Sequence, residues 1–519
     1  MFLGFDFSTQ QLKSIVVDEK RDVKYEAHVS FDHDLPEFRT HKGVVRSEKK
    51  VVTAPVLMWV KAVDMILERL RVCGADFSKV IAISGTAQQH GTVYWAAGAE
   101  EQLKGLDDAQ FLHSQLASCF TITSSPIWQD SSTTAQCRAL EEAVGGPEEL
   151  AKITGSKAFE RYSAAQIMKI FETKSTAYKN TERISLISSF ACSLFLGKYA
   201  PIDYSDGSGM NLLDITEKKW SDKCLNACAP DLAQKLGDPV PSNTILGKIS
   251  NYYVERFGFS EECSVVAFTG DNQSTIVGLG LKENDIAVSL GTSDTLIMWT
   301  SSPSPIDGGH ILLSPVPSHE YIVLICFKNG SVTRERIRDS YASGSWEIFD
   351  KLLNSSPRGN LGYFGLYYDH DEITVPLVGE FRFDSYNNIM DKFPASEIEV
   401  RSLLEGQFIA KRSMLEEYGL DLGKNTRIIA TGGASINIGI LQVLSDVFNA
   451  PVYTIEECNS GVLGAAFRAQ EALGGGGDHL VTDGSMTLVA TPFKNAGEVI
   501  SYNFIYFFLI LPNKSIHYL

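Results

Sequence analysis

The hydrophobic pattern alternates between short apolar runs and a longer stretch with helical spacing. Leu3–Phe5, Ile15–Val17 and Val80–Ile83 are short apolar runs, which predict β-strands. The apolar residues of 54–72 recur every three or four positions, which predicts an amphipathic helix. Strands that alternate with helices are typical of an α/β fold.

The second half of the chain partly repeats the first. Leu3–Val17 predicts a β-hairpin with its turn at Asp6–Gln10, and 285–299 predicts another with its turn at Gly291–Asp294. Both turns are rich in Ser, Thr or Gly and carry an Asp. Two copies of one hairpin, about half a chain apart, indicate two related domains.

Other segments are assigned by their composition. A strand is expected at 264–268 with a helix after Asp271, and a strand at 427–430 leads through Thr431–Ser435 to a helix from Ile438. Gly461 opens a further helix whose small residues permit close packing. The polar, glycine-rich or proline-rich stretches are expected to be loops or turns, at 85–91, 204–209 and 239–243.

The proline-rich loop suggests a domain boundary near residues 245–262. We therefore predict an N-terminal domain at 1–255, a C-terminal domain at 256–490 and a tail at 491–519. The tail contains the aromatic run Phe504–Leu511, which is uncharged and β-prone and would favour aggregation if exposed.

Composition narrows the function classes. The 519 residues include 46 Lys and Arg against 63 Asp and Glu, a formal net charge of −17, which argues against binding to nucleic acid. Phe504–Leu511 is far shorter than the about 20 residues of a membrane span. The N-terminus lacks a signal-peptide pattern, and the nine cysteines include no zinc-ligand spacing. We therefore expect a cytoplasmic protein without membrane or nucleic-acid partners.

The small-residue turns suggest phosphate binding, because such turns leave backbone N–H groups free. Asp6 beside a phosphate would call for a cation, for which Mg²⁺ is the natural choice, although a turn Asp is the alternative. Asp271 could take a proton from a substrate hydroxyl or simply cap a helix, and the pattern does not separate the two. On pattern alone, His90 is more often structural and Arg161 is a surface charge.

Several long segments carry a resemblance to one family. The chain resembles the FGGY carbohydrate kinases of the actin-like ATPase superfamily, and among them the eukaryotic xylulose kinases (xylulokinases). The segments that carry the resemblance run in family order from the N-terminus to about residue 490: Gly4–Gln11, Asp34–Thr40, Gln88–Gly91, Asp130–Arg138, Asp203–Asn211, Phe268–Asn272, Ser289–Asp294 and Ala430–Ser435.

The resemblance implies a fold and an activity. The fold would be two ribonuclease-H-like domains that face each other across a deep cleft. The activity would be ATP- and Mg²⁺-dependent phosphorylation of D-xylulose on its 5-hydroxyl, with Asp271 as the base and Asp6 near the metal. The remaining site residues implied are Gln89, His90, Arg161 and Asn272 with Asp271 for the sugar, and Ser8, Thr9, Gln10, Gly291, Thr292, Ser293, Trp346, Gly432, Gly433 and Asn437 for the nucleotide.

Three alternatives stay open at this point. Another FGGY kinase would act on ribulose, glycerol or gluconate. A nucleotide-gated binding protein would hydrolyse ATP without needing a sugar. The family normally ends in a charged closing helix, whereas this chain has the atypical tail, so an impaired sugar- or nucleotide-binding isoform is the third. We expect a monomer or a homodimer.

Overall fold

The computed structural model describes residues 1–48, 50–374, 377–419, 422, 425–455, 459–474 and 486–496, which fall into two compact units. Unit 1 comprises the described residues of Met1–Gly280, Thr300–Ile322 and Asn459–Val481. Unit 2 comprises those of Leu281–Trp299, Val323–Cys458 and Thr482–Leu519. The predicted domain limits stay a prediction, and the predicted tail lies outside the described residues from residue 497 onward.

Strands occur throughout the described chain. They are β1 (Phe2–Phe7), β2 (Gln11–Val17), β3 (Val23–Ser30), β4 (Val45–Glu48), β5 (Val51–Pro55), β6 (Ala82–Ala87), β7 (Thr92–Ala96), β8 (Phe120–Ile122), β9 (Ser124–Pro126), β10 (Thr181–Leu186), β11 (Leu213–Asp214), β12 (Lys219–Trp220), β13 (Ile245–Lys248), β14 (Ser264–Val266), β15 (Thr269–Gly270), β16 (Asp285–Leu290), β17 (Asp294–Thr300), β18 (Gly309–Leu313), β19 (Tyr321–Phe327), β20 (Phe364–Tyr368), β21 (Gly379–Phe383), β22 (Ile389–Met390), β23 (Arg427–Thr431), β24 (Val452–Ile455) and β25 (Met486–Ala490).

Helices alternate with these strands. They are α1 (Phe31–Asp34), α2 (Val56–Val72), α3 (Ala99–Lys104), α4 (Leu112–Gln115), α5 (Thr134–Val144), α6 (Pro147–Thr154), α7 (Ser163–Thr173), α8 (Ser175–Lys179), α9 (Ile187–Leu196), α10 (Tyr204–Gly207), α11 (Asp222–Cys228), α12 (Leu232–Leu236), α13 (Asn251–Phe257), α14 (Asp271–Gly278), α15 (Ser331–Tyr341), α16 (Trp346–Ser355), α17 (Ser396–Glu417), α18 (Ile438–Phe448) and α19 (Ser460–Ala472). Short 3-10 turns lie at Pro36–Phe38, Phe77–Lys79, Ser208–Met210, Asn360–Gly362 and Gly433–Ile436.

The main sheet of unit 1 has the order β13-β14-β6-β1-β2-β3. The predicted N-terminal hairpin is confirmed, since β1 and β2 are antiparallel with Asp6 opposite Lys13. β6 and β14 continue the sheet in parallel with β1. All six residues of β1 are buried because α9 and α19 pack against it. Strands covered on both faces read as apolar runs, which is why this strand was predictable.

The helix predicted at 54–72 is confirmed as α2. Its apolar face is buried, with Trp59 packed against Phe190 at a ring-centroid distance of 6.1 Å. The helix contacts β2 and β3, so it covers one region of the main sheet. The helical spacing of the apolar residues therefore reflects burial along one stripe of the helix.

Two predicted loops are wrong in part, since residues 88–91 do form a loop between β6 and β7. Residues 85–87 belong to β6 rather than to a loop, because Gly85 leaves the space that the ring of Phe268 fills. Residues 204–207 form α10 instead of a turn, and a 3-10 turn follows. The carboxylate of Asp203 caps α10 by accepting hydrogen bonds from the N–H groups of Ser205 and Asp206, which stabilises a helix in a segment of small residues.

The main sheet of unit 2 includes the strand order β19-β17-β16-β23-β24-β25. The second predicted hairpin is confirmed, since β16 and β17 are antiparallel with Leu290 opposite Asp294. β23 runs parallel to β16 and places Thr431 beside Ser289. Both strands are therefore followed by loops at the same edge of the sheet, where α/β folds commonly bind ligands.

The close packing predicted for the helix at Gly461 is confirmed for α19. A Cβ atom on Gly4 would lie 2.7 Å from the backbone nitrogen of Ala466 in α19. A Cβ atom on Gly278 would lie 2.7 Å from the carbonyl carbon of Ser460 and 2.8 Å from the nitrogen of Gly464. Glycine thus allows α14 and α19 to approach backbone to backbone, and α14 begins with Asp271.

We expect Gly278→Ala to destabilise unit 1 by about 1–3 kcal/mol, because the added methyl group overpacks this contact. Denaturant unfolding followed by circular dichroism measures the change. Gly105→Ala is the matched control, since its Cβ atom would have only an ordinary 3.4 Å contact with the carbonyl oxygen of Glu101. Equal stability of the two variants would contradict this description of the α14–α19 contact.

Within the described residues, no helix combines the length and the apolar character that crossing a bilayer requires.

Candidate active site

Asp6 lies near the carboxyl end of β1 and is buried. Its Oδ2 accepts a 2.7 Å hydrogen bond from the hydroxyl of Ser8, while its Oδ1 is buried without a hydrogen-bond partner among the described residues. Burial raises the pKa of Asp6, and the Ser8 hydrogen bond and the charge of Lys13 oppose this shift. A buried carboxylate oxygen without a partner is costly, so Asp6 is suited to bind a cation or a donor group.

The first predicted phosphate turn, Ser8–Gln10, connects β1 to β2. The hydroxyl of Ser8 is directed at Asp6, and the hydroxyl of Thr9 accepts a 2.9 Å hydrogen bond from the indole of Trp128. Gln10 is exposed. One hydrogen bond therefore fixes Ser8 to Asp6 and another fixes Thr9 to Trp128, so the turn is ordered at the end of the buried strand β1.

Asp271 is the first residue of α14, and the N-cap position is occupied by Gly270. The N-cap alternative for Asp271 is therefore wrong. Its Oδ1 accepts a 2.9 Å hydrogen bond from the backbone N–H of Asn272. Burial, and then the neighbouring charge of Asp6, raise the pKa of Asp271 to about 7. A carboxylate with this pKa can accept a proton near neutral pH.

The predicted sugar-contacting residues all belong to unit 1, and Asn272 directly follows Asp271 in α14. The side-chain carbonyl of Gln89 accepts a 2.7 Å hydrogen bond from the Asn272 amide, which connects the β6–β7 loop to α14. His90 follows Gln89 and has a φ of 72°, which is uncommon for a residue other than glycine. Such backbone conformations cluster at functional sites.

His90 is held in one orientation. Its Nδ1 lies 2.9 Å from the carbonyl oxygen of Gly209, and its ring stacks on Tyr162 with a centroid distance of 4.4 Å. Burial, and then the charge of Arg161, lower the pKa of His90 to about 3, so the ring is neutral. Because a carbonyl only accepts, Nδ1 carries the proton and Nε2 is an acceptor.

Two buried carboxylates beside this group were missed as site candidates. Asp203 accepts a 2.8 Å hydrogen bond from the hydroxyl of Thr269, and Asp206 accepts one of 2.5 Å from Ser188. Burial, and then the charge of Asp203, raise the pKa of Asp206 well above its ordinary value. The sequence signal for this pair was the spacing of Asp203 and Asp206, which lie three residues apart. Their burial could be known only from the fold.

Unit 2 contains a cavity of about 1020 Å³. Five predicted nucleotide residues line it, namely Gly291, Thr292, Trp346, Gly433 and Asn437. Two others, Ser293 and Gly432, are their sequence neighbours but are not part of the lining. The cavity therefore brings together the loops that follow the parallel strands β16 and β23, with α16 as a further wall.

Backbone geometry explains the glycine at the β23 end of the cavity. Gly432 has a φ of +84°, and a Cβ atom there would lie 2.7 Å from the carbonyl oxygen of Leu290. Asn437 caps α18, because its Oδ1 accepts a 2.9 Å hydrogen bond from the N–H of Ile440. Its Nδ2 donates to Asp350 at 3.0 Å. Asp350 was missed, since nothing in the sequence connects it with Asn437.

The second turn is anchored by a buried ion cluster. Asp294 closes the turn after Ser293 and receives a bidentate contact from Arg334, with distances of 2.7 and 2.8 Å. Nζ of Lys411 lies 3.0 Å from Asp294 Oδ2. The N–H of Ser331 also donates to the carbonyl oxygen of Gly291 at 2.9 Å. The start of α15 thus holds both ends of the turn.

Comparisons with known proteins identify carbohydrate kinases. The model of the FGGY family of carbohydrate kinases matches residues 120–278 with its N-terminal domain and 286–473 with its C-terminal domain. A xylulose kinase of Rattus norvegicus is 53% identical over 503 residues, which is 96% of this chain and 94% of that protein. Xylulose kinase 2 of Arabidopsis thaliana is 46% identical over 90% of this chain and 86% of its own length.

Solved structures are similar in fold. The xylulose kinase from Rhodospirillum rubrum has a TM-score of 0.82 at 16% identity and covers 98% of this chain and 99% of its own. The gluconate kinase from Lactobacillus acidophilus has a TM-score of 0.77 at 17% identity, with coverage of 100% and 99%. The predicted α/β fold is confirmed, and it is shared with these solved sugar kinases.

Proposed function

Since the chain belongs to the FGGY family of carbohydrate kinases, we propose that it transfers the γ-phosphoryl group of ATP to the 5-hydroxyl of D-xylulose. The products are xylulose 5-phosphate and ADP. The observation that carries the choice of sugar is the high identity with xylulose kinases along nearly the whole chain. The polar side chains of Gln89 and Asn272 beside Asp271 support the proposed phosphoryl transfer to a sugar hydroxyl.

Asp271 acts as the general base. The transfer needs a group that accepts the proton of the 5-hydroxyl as its oxygen bonds to phosphorus, and a positioned base of this kind contributes about 10²–10⁴-fold to the rate. The raised pKa of Asp271 suits this role, because a large fraction of the carboxylate is deprotonated near pH 7 and that fraction is basic enough to take the proton. The backbone N–H of Asn272 fixes the carboxylate orientation.

The sugar is held by complementary donors and acceptors. His90 offers an acceptor at Nε2 for a sugar hydroxyl, while Arg161 offers only donors. Gln89 and Asn272 are hydrogen-bonded to each other and continue this surface toward Asp271. A sugar bound here would present hydroxyl groups to His90 and an oxygen acceptor to Arg161.

The nucleotide roles follow the cavity in unit 2. Gly291, Thr292 and Ser293 provide backbone N–H groups for phosphate oxygens, while Trp346 and the segment from Gly432 to Asn437 hold the adenosine. In unit 1, the turn of Ser8, Thr9 and Gln10 likewise offers backbone N–H groups to phosphate oxygens.

The residues around Asp6 fit a divalent cation. Among the described residues no group of three or more metal-ligating side chains exists, but Mg²⁺ commonly uses one or two carboxylates together with water and phosphate oxygens. The unpartnered Oδ1 of Asp6 meets that requirement. Mg²⁺ bound there would neutralise negative charge on the phosphate oxygens.

The proposal is tested by ADP release from the purified protein with Mg-ATP. D-xylulose, ribulose, glycerol, gluconate and no sugar are compared at equal concentration. We expect strong stimulation by D-xylulose alone. Stimulation by a different sugar would reassign the substrate within the family, and equal ADP release without sugar would contradict a sugar kinase.

Activity should depend on pH through Asp271. The base must be deprotonated, so kcat/KM should be constant above about pH 8 and fall about tenfold per pH unit well below 7. Steady-state assays from pH 5.5 to 8.5 measure the profile. Calorimetric binding of ADP over the same range is the control for loss of the fold. A flat kcat/KM profile would contradict the role of Asp271.

A further inference from the structure

We propose that His310 is the positioning residue that fixes Arg161 for sugar binding, which rests on the proposed function. His310 lies on β18 in unit 1 and was not among the residues expected at the site. Its side chain is fully buried. Its Nε2 lies 3.2 Å from Nη2 of Arg161, and its Nδ1 lies 2.5 Å from the hydroxyl oxygen of Tyr162.

The hydrogen-bond chemistry allows one arrangement of His310. A guanidinium group only donates, so Nε2 of His310 must be the acceptor and Nδ1 must carry the proton. That proton is then donated to the hydroxyl oxygen of Tyr162. Burial, and then the charges of Arg161 and His90, lower the pKa of His310 well below its ordinary value, which agrees with a neutral ring.

Tyr162 connects this arrangement to His90. The tyrosine ring stacks on His90, and its hydroxyl oxygen contacts His310. The next residue, Ser163, donates its hydroxyl to the carbonyl oxygen of His90 at 2.9 Å. Tyr162 thus contacts both His90 and His310, and His310 in turn contacts Arg161. This chain of contacts fixes the acceptor Nε2 of His90 relative to the donor Arg161.

β18 is held firmly enough to act as a support. The N–H of Ile311 donates to the carbonyl oxygen of Gly155 at 2.9 Å. The N–H of Leu313 donates to the hydroxyl of Ser208 at 3.0 Å, and the carbonyl oxygen of Leu313 accepts from Ser205 at 2.5 Å. These hydrogen bonds fix the strand immediately after His310 to Gly155 and to the segment of Ser205 and Ser208.

Arg161 needs such support because its other contacts are weak. The centre of its guanidinium lies 5.7 Å from the ring of Phe159, and its Nε is buried without a hydrogen-bond partner among the described residues. A long flexible side chain with so few partners loses rotamer freedom when it binds a sugar. The hydrogen bond to His310 orders it beforehand and leaves its other donors available.

The test compares two replacements at His310. Glutamine can place an acceptor oxygen where Nε2 lies, whereas asparagine is too short to reach Arg161. We expect His310→Asn to raise the KM for D-xylulose by about tenfold or more, with the KM for ATP within about twofold of the wild-type value. His310→Gln should recover most of the loss. Equal effects on both KM values, or no rescue by glutamine, would overturn the proposal.

A double-mutant cycle separates positioning from general packing. If His310 acts through Arg161, adding His310→Asn to Arg161→Ala should cause no further rise in the KM for D-xylulose. Additive effects would show that His310 does not act through Arg161 and would overturn the proposal.

A spectroscopic measurement on the wild-type protein tests the proposal without relying on turnover or on the folding of a variant. In the ¹⁵N-histidine NMR spectrum of the wild-type protein, the two rings His90 and His310 should both show a protonated Nδ1 and an unprotonated Nε2 at pH 7. A protonated Nε2 on His310 would overturn the proposal. Absence of xylulose-dependent ADP release with the expected NMR signature would instead count against the proposed function alone.

Discussion

Replacement of Asp271 by asparagine is expected to lower kcat for xylulose-dependent ADP release by about 10²–10⁴-fold or more. The amide keeps an oxygen that can accept the hydrogen bond from the N–H of Asn272, so the local geometry is retained. It cannot take the proton of the sugar hydroxyl. Stopped assays with D-xylulose and Mg-ATP measure the loss, and calorimetry should show that D-xylulose still binds.

The chain offers a matched control for this variant. Asp222 is also the first residue of a helix but is exposed, so Asp222→Asn should leave kcat unchanged. Circular dichroism checks that both variants are folded. If Asp271→Asn turned over within a few-fold of wild type, another residue would have to be the base.

Replacement of Asp294 by asparagine is expected to destabilise unit 2 by about 3–5 kcal/mol, because removing one partner leaves buried charges uncompensated. Asp294, Arg334 and Lys411 are almost wholly inaccessible to solvent. Burial acts to raise the pKa of Asp294, but the charges of Arg334 and Lys411 outweigh it and hold the pKa below its ordinary value. Denaturant unfolding without ligand measures the change.

The same variant should weaken nucleotide binding, because Asp294 closes the turn Gly291–Ser293 at the cavity. We expect the Kd for ADP to rise, measured where the protein remains folded. Asp339→Asn is the control, since Asp339 pairs with Arg338 on the exposed side of α15 and should change stability by less than about 1 kcal/mol. Similar stability of the two variants would contradict the role assigned to the buried cluster.

The parts of the fold that were predictable are those in which burial follows a simple period. The strands β1 and β16 are mostly apolar, and α2 carries an apolar stripe, so the sequence pattern reports them directly. Residues 85–87 were misassigned because β6 ends in small and polar residues that are buried, with the ring of Phe268 filling the space beside Gly85. The helix α10 is stabilised by the capping carboxylate of Asp203, and the spacing of apolar residues gives no information about such a cap.

The candidate site divides in the same way. Gly291 and Asn437 could be named because each lies in a recognisable motif, and the parallel pairing of β16 with β23 explains why they line one cavity. Asp350 and His310 could not be named, since their significance comes from contacts across 87 and 149 positions of the chain. The roles assigned to the site residues stay predictions until the variants are measured.

The most direct test of the account is the structure of the product. Protein, Mg-ATP and D-xylulose are incubated, and the sugar phosphate is isolated and examined by ³¹P and ¹³C NMR. Coupling of phosphorus to C5 of the sugar, in amounts equal to the ADP formed, is the result that the account predicts. Phosphate on another carbon, or ADP formed together with free phosphate and unchanged xylulose, would contradict it.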